Sequence, residues 1–182
     1  MFIILEDLLV TSPIPAQKYQ EIVDFLFAAD AKHIKYWPNP KGDELHSHPL
    51  MAVYKKGAPY RATVCGFWDR DFLKTLLIPG ESPWNFEIMG SYRASYFDGF
   101  YSLREPLFSF RNMIEKGRWF PDAVEWAKKE GLEIGVHQRP ILKGKLNLIS
   151  HLQVVVFRIV LQIPWPLRLR AMNFLRKLFI CY

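Results

Sequence analysis

The sequence lacks several features that would assign it to a class at once. Its two cysteines, Cys65 and Cys181, lie far apart in 182 residues, which argues against a disulfide framework or a cysteine zinc site and predicts a reducing compartment. The apolar run at residues 2–5 is too short for a signal peptide. We find no glycine-rich phosphate loop, internal repeat or low-complexity segment. Half of the residues are hydrophobic and 15% are aromatic, so the sequence predicts a globular body.

Acidic residues are absent after Glu133. From residue 139 onward the chain carries eight basic residues, whereas the preceding part carries sixteen basic and eighteen acidic ones. The net charge of +6 therefore divides into +8 from residue 139 onward and −2 before it. We predict a body at residues 1–140 and a separate basic tail at 141–182, and the basic character of the chain belongs to that tail.

Two acidic sites stand out in the body. Glu6 and Asp7 directly follow the apolar run at 2–5, and Glu87 comes about 80 residues later in the segment 79–87. A carboxylate at the C-terminal end of a buried strand lies where α/β sheets bind ligands. A second carboxylate near an aromatic-rich helix start is suited to act as a base or a substrate clamp.

The hydrophobic periodicity and turn signals predict an α/β fold for the body. Asp69 and Ser82 are predicted N-caps, and a proline follows Ser82 at the first helical position. The predicted strands are residues 2–5, 33–37, 50–54, 62–67, 106–110 and 113–119. The predicted helices are residues 12–29, 69–77, 82–92 and 122–129.

The order of these elements, together with segments 60–73 and 79–87, resembles the back half of a GT-A glycosyltransferase. It is similar to bacterial glycosyltransferase-like proteins of surface-polysaccharide loci. Those proteins carry an acidic pair after an apolar strand, an aromatic-Arg-Asp-Phe-Leu segment and a Gly-Glu-x-Pro-Trp-x-Phe-Glu segment. The likeness covers roughly residues 1–140 and is most specific at 60–87. It implies a partial GT-A-like mixed sheet with flanking helices.

The resemblance also implies roles for individual residues. Glu6 and Asp7 match the acidic position that reaches Mg²⁺ or Mn²⁺ on a nucleotide-sugar diphosphate, for which carboxylate oxygens are suitable ligands. Glu87 matches the general base that takes the proton of the acceptor hydroxyl. The remaining matches are substrate-binding residues. Trp84 and Phe86 match an apolar wall or sugar-stacking face, and Arg70 matches a supporting basic residue. The implied reaction transfers a sugar from a nucleotide-sugar to a polysaccharide or lipid-linked acceptor.

Other interpretations of the same residues stay open. The β-α-β stretch that binds the nucleotide in this family would precede residue 6, so we expect either a truncated or split copy or a start codon that was assigned too late. A second protein chain supplying that half, with this chain as an inactive membrane-associated partner, is the alternative function. Glu6 and Asp7 are also typical of a solvated strand end. Glu87 is also typical of a helix start, where the helix dipole by itself favours an acidic side chain. Trp84 and Phe86 suit a hydrophobic core.

The tail is predicted to form an amphipathic helical hairpin over residues 146–163 and 167–179. Three structures fit it: a transmembrane helix, a core helix with an amphipathic lid, or a monotopic anchor on anionic lipid. The absence of acidic residues favours the anchor, at the cytoplasmic face of the bacterial inner membrane. Basic residues interleaved with bulky aliphatic ones disfavour nucleic acid as a partner. The predicted membrane contacts are Trp165, Arg168, Arg170, Arg176 and Lys177.

Overall fold

The computed structural model describes residues 1–115 and 117–142, together with positions 159, 162–164, 166–168, 170, 171 and 174. The strands are β1 Phe2–Ile3, β2 Leu8–Val10, β3 His33–Lys35, β4 Glu44–Leu45, β5 Met51–Val53, β6 Gly66–Trp68, β7 Phe100–Leu103, β8 Phe110–Asn112, β9 Ile114–Glu115 and β10 Arg118–Trp119. The helices are α1 Ala16–Ala28, α2 Arg70–Leu76, α3 Pro83–Asn85, α4 Ser91–Ala94 and α5 Pro121–Lys129, with a π-helical turn at Phe86–Gly90 and a 3₁₀ turn at Val136–Gln138.

Six of the strands form one mixed sheet with the spatial order β1-β6-β3-β7-β5-β4. Only β3 and β7 are parallel, with His33 opposite Phe100, and the other four pairs are antiparallel. The mixed α/β class with flanking helices is therefore confirmed. Two smaller antiparallel pairs, β2 with β8 and β9 with β10, complete the strand pairing of the described residues.

The first strand differs from the prediction. It was expected to be a buried strand over residues 2–5, but β1 covers two residues and lies at the edge of the sheet, where both side chains are only partly buried. Phe2 pairs with Phe67 of β6 in antiparallel register. Glu6 and Asp7 therefore lie in the turn between β1 and β2 and not at the end of an interior parallel strand.

Helix α1 forms where Pro15 ends an extended segment and a 3.6-residue apolar period begins. Its buried stripe consists of Ile22, Phe25 and Leu26. Phe27, the next residue after this stripe, is 76% exposed although it is apolar. One step of about 100° beyond Leu26 turns it away from the stripe.

The predicted strand over 62–67 is replaced by an irregular connection at residues 60–65, and β6 begins only at Gly66. Gly66 has φ +150°, and an added Cβ would lie 2.4 Å from His33 Cε1. Glycine is therefore required for the backbone to pass the histidine ring. The connection contacts side chains of β3. The candidate site is formed around this connection.

Candidate active site

Asp7 is held in its turn by backbone contacts. The Leu8 amide donates to the Leu5 carbonyl at 3.2 Å, and the Met113 amide donates to the Asp7 carbonyl at 2.8 Å. Glu6 is exposed, whereas Asp7 is partly buried. The Asp7 Oδ1 atom is buried and has no hydrogen-bond partner among the described residues. Burial, and secondarily the charge of Glu6, raises the pKa of Asp7. A desolvated carboxylate oxygen without a donor is costly and is typical of ligand sites.

Glu87 lies in the π-helical turn, which interrupts the helix predicted over 82–92. Ser82 caps the start of this segment by accepting the Asn85 amide at 3.3 Å, as predicted. The wider turn brings the Glu87 side chain to the connection, where Oε1 accepts the Val64 amide at 3.3 Å. Ser91 Oγ donates to the Glu87 carbonyl at 2.6 Å and fixes the end of the turn. Single π-helical turns occur often at functional sites.

Asp7 and Glu87 lie within electrostatic reach of each other. Burial is the largest cause that raises the pKa of Glu87, and the negative charge of Asp7 raises it further. Both carboxylates act on Tyr36 and Cys65, whose pKa values are raised mainly by burial. Carboxylates that are far apart in sequence and raise the pKa of shared neighbours form a candidate acid–base site.

Lys35 is part of this site and was missed by the sequence analysis. Its residue is only 5% exposed, and Nζ donates to the Asn39 carbonyl at 2.5 Å and the Tyr60 carbonyl at 3.3 Å. Burial lowers the pKa of Lys35 to about 7, and the charge of Glu87 is the main opposing cause. The available signal was a lysine inside the predicted strand 33–37, because lysine is rarely buried unless it is paired.

The other predicted substrate residues lie in different surroundings. Trp84 is 59% exposed on the same short helical segment as Glu87. Phe86 is 3% exposed and packs against Trp68 with ring centroids 6.0 Å apart, so it supports the turn from the core and has no open face for a sugar. Of the two residues predicted to form an apolar wall, only Trp84 is exposed enough to contact a sugar. Arg70 is exposed at the start of α2, where Nε lies 3.3 Å from Asp71 Oδ1.

A divalent cation fits this site only under one condition. Within the described part of the chain, no group of three or more His, Cys, Asp or Glu side chains could hold a metal ion. Asp7 provides one desolvated oxygen without a donor, and Glu6 lies beside it at the surface. This set fits a Mg²⁺ or Mn²⁺ ion whose remaining ligands come from a diphosphate.

A cavity of about 320 Å³ lies elsewhere in the molecule. Its lining includes Lys18, Leu50 and Arg104, and none of Asp7, Lys35 or Glu87. Arg104 is already engaged there, because its guanidinium donates to the Met51 carbonyl at 3.0 Å and the His46 carbonyl at 2.6 Å. The chemistry of the side chains, and not this cavity, locates the candidate site.

Two of the predicted membrane residues can be placed. Arg168 is 4% exposed, and its Nη2 lies 2.5 Å from Asp43 Oδ1, so its charge is paired inside the protein and does not face a lipid surface. Arg170 is exposed. Trp165, Arg176, Lys177 and most of the predicted hairpin lie outside the described residues. No helix in the described part of the chain is both long and apolar enough to cross a bilayer.

Comparison with known proteins gave no match to any family model, curated protein or solved structure.

Replacement of Asp7 by Asn should stabilise the protein. The raised pKa means that the folded state binds the proton more tightly than the unfolded state, so ionised Asp7 reduces stability at pH 7. We expect Asp7→Asn to raise the free energy of unfolding at pH 7 by on the order of 1 kcal/mol. The difference should shrink as the pH falls below 4, where Asp7 is protonated in both states. Urea denaturation at several pH values measures it.

The matched control is Asp71→Asn. Asp71 is exposed beside Lys74 and Arg70, and its pKa is lowered by them, so its ionised form is favoured by folding. This variant should give no gain in stability. A loss of stability in Asp7→Asn at pH 7 would show that the Asp7 carboxylate has a partner that stabilises the fold.

Proposed function

We propose that the protein is a glycosyltransferase that transfers a sugar from a nucleotide-sugar to a hydroxyl of a polysaccharide or lipid-linked acceptor. Two carboxylates carry the proposal: Asp7, whose buried Oδ1 has no donor among the described residues, and Glu87, whose Oε1 accepts the Val64 amide. The charge of Asp7 raises the pKa of Glu87. The resemblance of residues 1–140 to the back half of a GT-A domain assigns these two positions complementary roles. The mixed sheet with flanking helices is compatible with that assignment.

Glu87 acts as the general base in this proposal. Its carboxylate takes the proton of the acceptor hydroxyl while the acceptor oxygen bonds to the anomeric carbon and the bond to the diphosphate breaks. The Val64 amide holds Oε1 and thereby orients the carboxylate. A base whose pKa is raised by burial is better matched to proton transfer near neutral pH than an exposed glutamate.

Asp7 acts at the other end of the donor. Its oxygen without a donor would hold a Mg²⁺ or Mn²⁺ ion together with the diphosphate, and Glu6 would lie in the outer part of that site. When bound, such an ion stabilises the negative charge of the departing nucleoside diphosphate. The exposed ring of Trp84 offers an apolar face to a sugar.

The proposed location is the cytoplasmic face of the bacterial inner membrane, as a peripheral protein. The tail has no acidic residue, and its described positions expose large apolar side chains beside Arg170, among them Leu167 and Phe174 at 51% and 63%. Apolar and basic side chains together are what an anionic bilayer surface attracts. A lipid-linked acceptor would be presented to the enzyme at that surface.

The base role predicts a specific effect of Glu87→Gln. Transfer should fall by about 10²–10⁴-fold, because glutamine cannot accept the proton, while nucleotide-sugar binding should stay largely intact. Radiolabelled transfer assays with a panel of nucleotide-sugars and Mn²⁺ measure the first quantity, and isothermal calorimetry measures the second. Glu125→Gln, at an exposed position of α5, is the matched control and should change neither.

Three results would count against this assignment. Equal loss of transfer and donor binding in Glu87→Gln would assign Glu87 to donor binding rather than to proton transfer. Full activity of the variant would remove its catalytic role. Absence of binding heat for every nucleoside diphosphate tested with wild-type protein would favour the non-catalytic, membrane-associated partner.

The membrane proposal predicts that Arg170→Glu weakens binding to phosphatidylglycerol vesicles by about fivefold or more, since each basic residue near an anionic surface contributes about 1 kcal/mol. Lys129→Glu, the same charge reversal at an exposed position of α5, should have little effect. Vesicle flotation measures both affinities. Equal binding to neutral phosphatidylcholine vesicles, or no binding to either, would refute an electrostatic anchor.

A further inference from the structure

The connection at residues 60–65 holds both Lys35 and Glu87. The Tyr60 carbonyl accepts from Lys35 Nζ at 3.3 Å, and the Val64 amide donates to Glu87 Oε1 at 3.3 Å. The two contacts come from backbone groups four residues apart in sequence. The ammonium of a central strand and the carboxylate of the π-helical turn are therefore positioned by the same short piece of chain.

The connection is itself tied to the elements that carry these two side chains. Ser91, which follows the π-helical turn, contacts both the amide and the carbonyl of Ala62 through its hydroxyl at 3.0 Å. The ring of His33, two residues before Lys35, lies 3.2 Å from Thr63 Oγ1. The Trp68 indole donates to the Thr63 carbonyl at 3.1 Å. These buried contacts restrict relative movement of the Lys35 and Glu87 side chains.

Lys35 and Glu87 are the principal charged partners of each other. Glu87 is the strongest charge that stabilises the Lys35 ammonium, and Lys35 is the strongest charge that stabilises the Glu87 carboxylate. The other titratable groups that act on the pair are Asp7, which opposes ionisation of Glu87, and Cys65, which acts on Lys35. Tyr36 and Tyr60 respond to the charge of Glu87.

We propose that Lys35 is a positioning residue for Glu87. The Lys35 ammonium donates to the Asn39 and Tyr60 carbonyls and so fixes the connection at residues 60–65, whose Val64 amide binds the Glu87 carboxylate. Without that charge, burial and the neighbouring Asp7 would both favour protonated Glu87. A protonated carboxyl cannot take a proton from an acceptor. Lys35 thus sets the lower end of the pH range in which Glu87 works as a base.

Only the catalytic consequence of this inference rests on the proposed function. The coupling of the two charges is a property of the protein alone, and it is measurable without donor or acceptor. Coupling is also reciprocal, since each group must shift the proton affinity of the other by the same free energy.

The test uses the full-length protein and two variants. In Lys35→Met the ¹³C-carboxyl resonance of Glu87 should titrate at higher pH than in the wild type. In Glu87→Gln the ¹³Cε resonance of Lys35 should titrate at lower pH than in the wild type. The matched control is Lys32→Met, because Lys32 pairs with the exposed Asp30 and belongs to the same segment of chain. It should leave the Glu87 titration unchanged.

The reciprocal design remains decisive if Lys35→Met does not fold, because Glu87→Gln then tests the coupling by itself. Unchanged titration of Lys35 in Glu87→Gln would refute the inference, as would unchanged titration of Glu87 in folded Lys35→Met. If transfer is found, the acidic limb of its pH–rate profile should move to higher pH in Lys35→Met. If no donor supports transfer but both resonances shift, the proposed function fails while the coupling stands.

Discussion

The structure of the site depends on the burial of a lysine in the middle of the main sheet. A charged ammonium in that position requires acceptors and a counter-charge, because desolvation opposes its ionisation. The Asn39 and Tyr60 carbonyls are the acceptors, and Glu87 is the counter-charge. The irregular connection and the π-helical turn together bring a carbonyl acceptor and the Glu87 counter-charge to Lys35.

The same arrangement explains why the acidic groups are so differently exposed. Glu6 lies at the surface, Asp7 is partly buried, and Glu87 is partly buried beside the connection. Burial raises the pKa of both Asp7 and Glu87, and Lys35 acts on Glu87 only, so the negative charge at Asp7 is in excess. Such an excess lowers stability and is usually retained where a ligand or a proton transfer uses it. A cation with a diphosphate at Asp7 would reduce that excess.

Elements with local signals were the predictable part of this fold. Asp69 caps α2 by accepting the Phe72 amide at 2.7 Å, and Ser82 with Pro83 begins α3, as their sequence positions indicated. The central strand β7 was not predicted, because it is buried on both faces and its residues show no alternation of polar and apolar side chains. The π-helical turn also has no sequence signal of its own, since it arises from tertiary contacts such as those of Ser91.

Some residues of the candidate site could likewise be predicted from the sequence, and others could not. Asp7 and Glu87 could be named from motifs, because acidic residues beside apolar and aromatic segments stand out in a sequence. Lys35 could not be paired with Glu87 without the structure, since their proximity depends on residues 60–65 leaving the strand that was predicted there. Phe86 belongs to the same motif as Glu87, but it is buried and packs against Trp68 in the core.

The central claim is that two carboxylates about 80 residues apart in sequence, those of Asp7 and Glu87, share one site. The most direct measurement is the NMR titration of the Glu87 carboxyl in Asp7→Asn protein without any ligand. Since the charge of Asp7 raises the pKa of Glu87, this account predicts that Glu87 titrates at lower pH in the variant than in the wild type. An unchanged Glu87 titration would place the two groups in separate environments and would contradict the account.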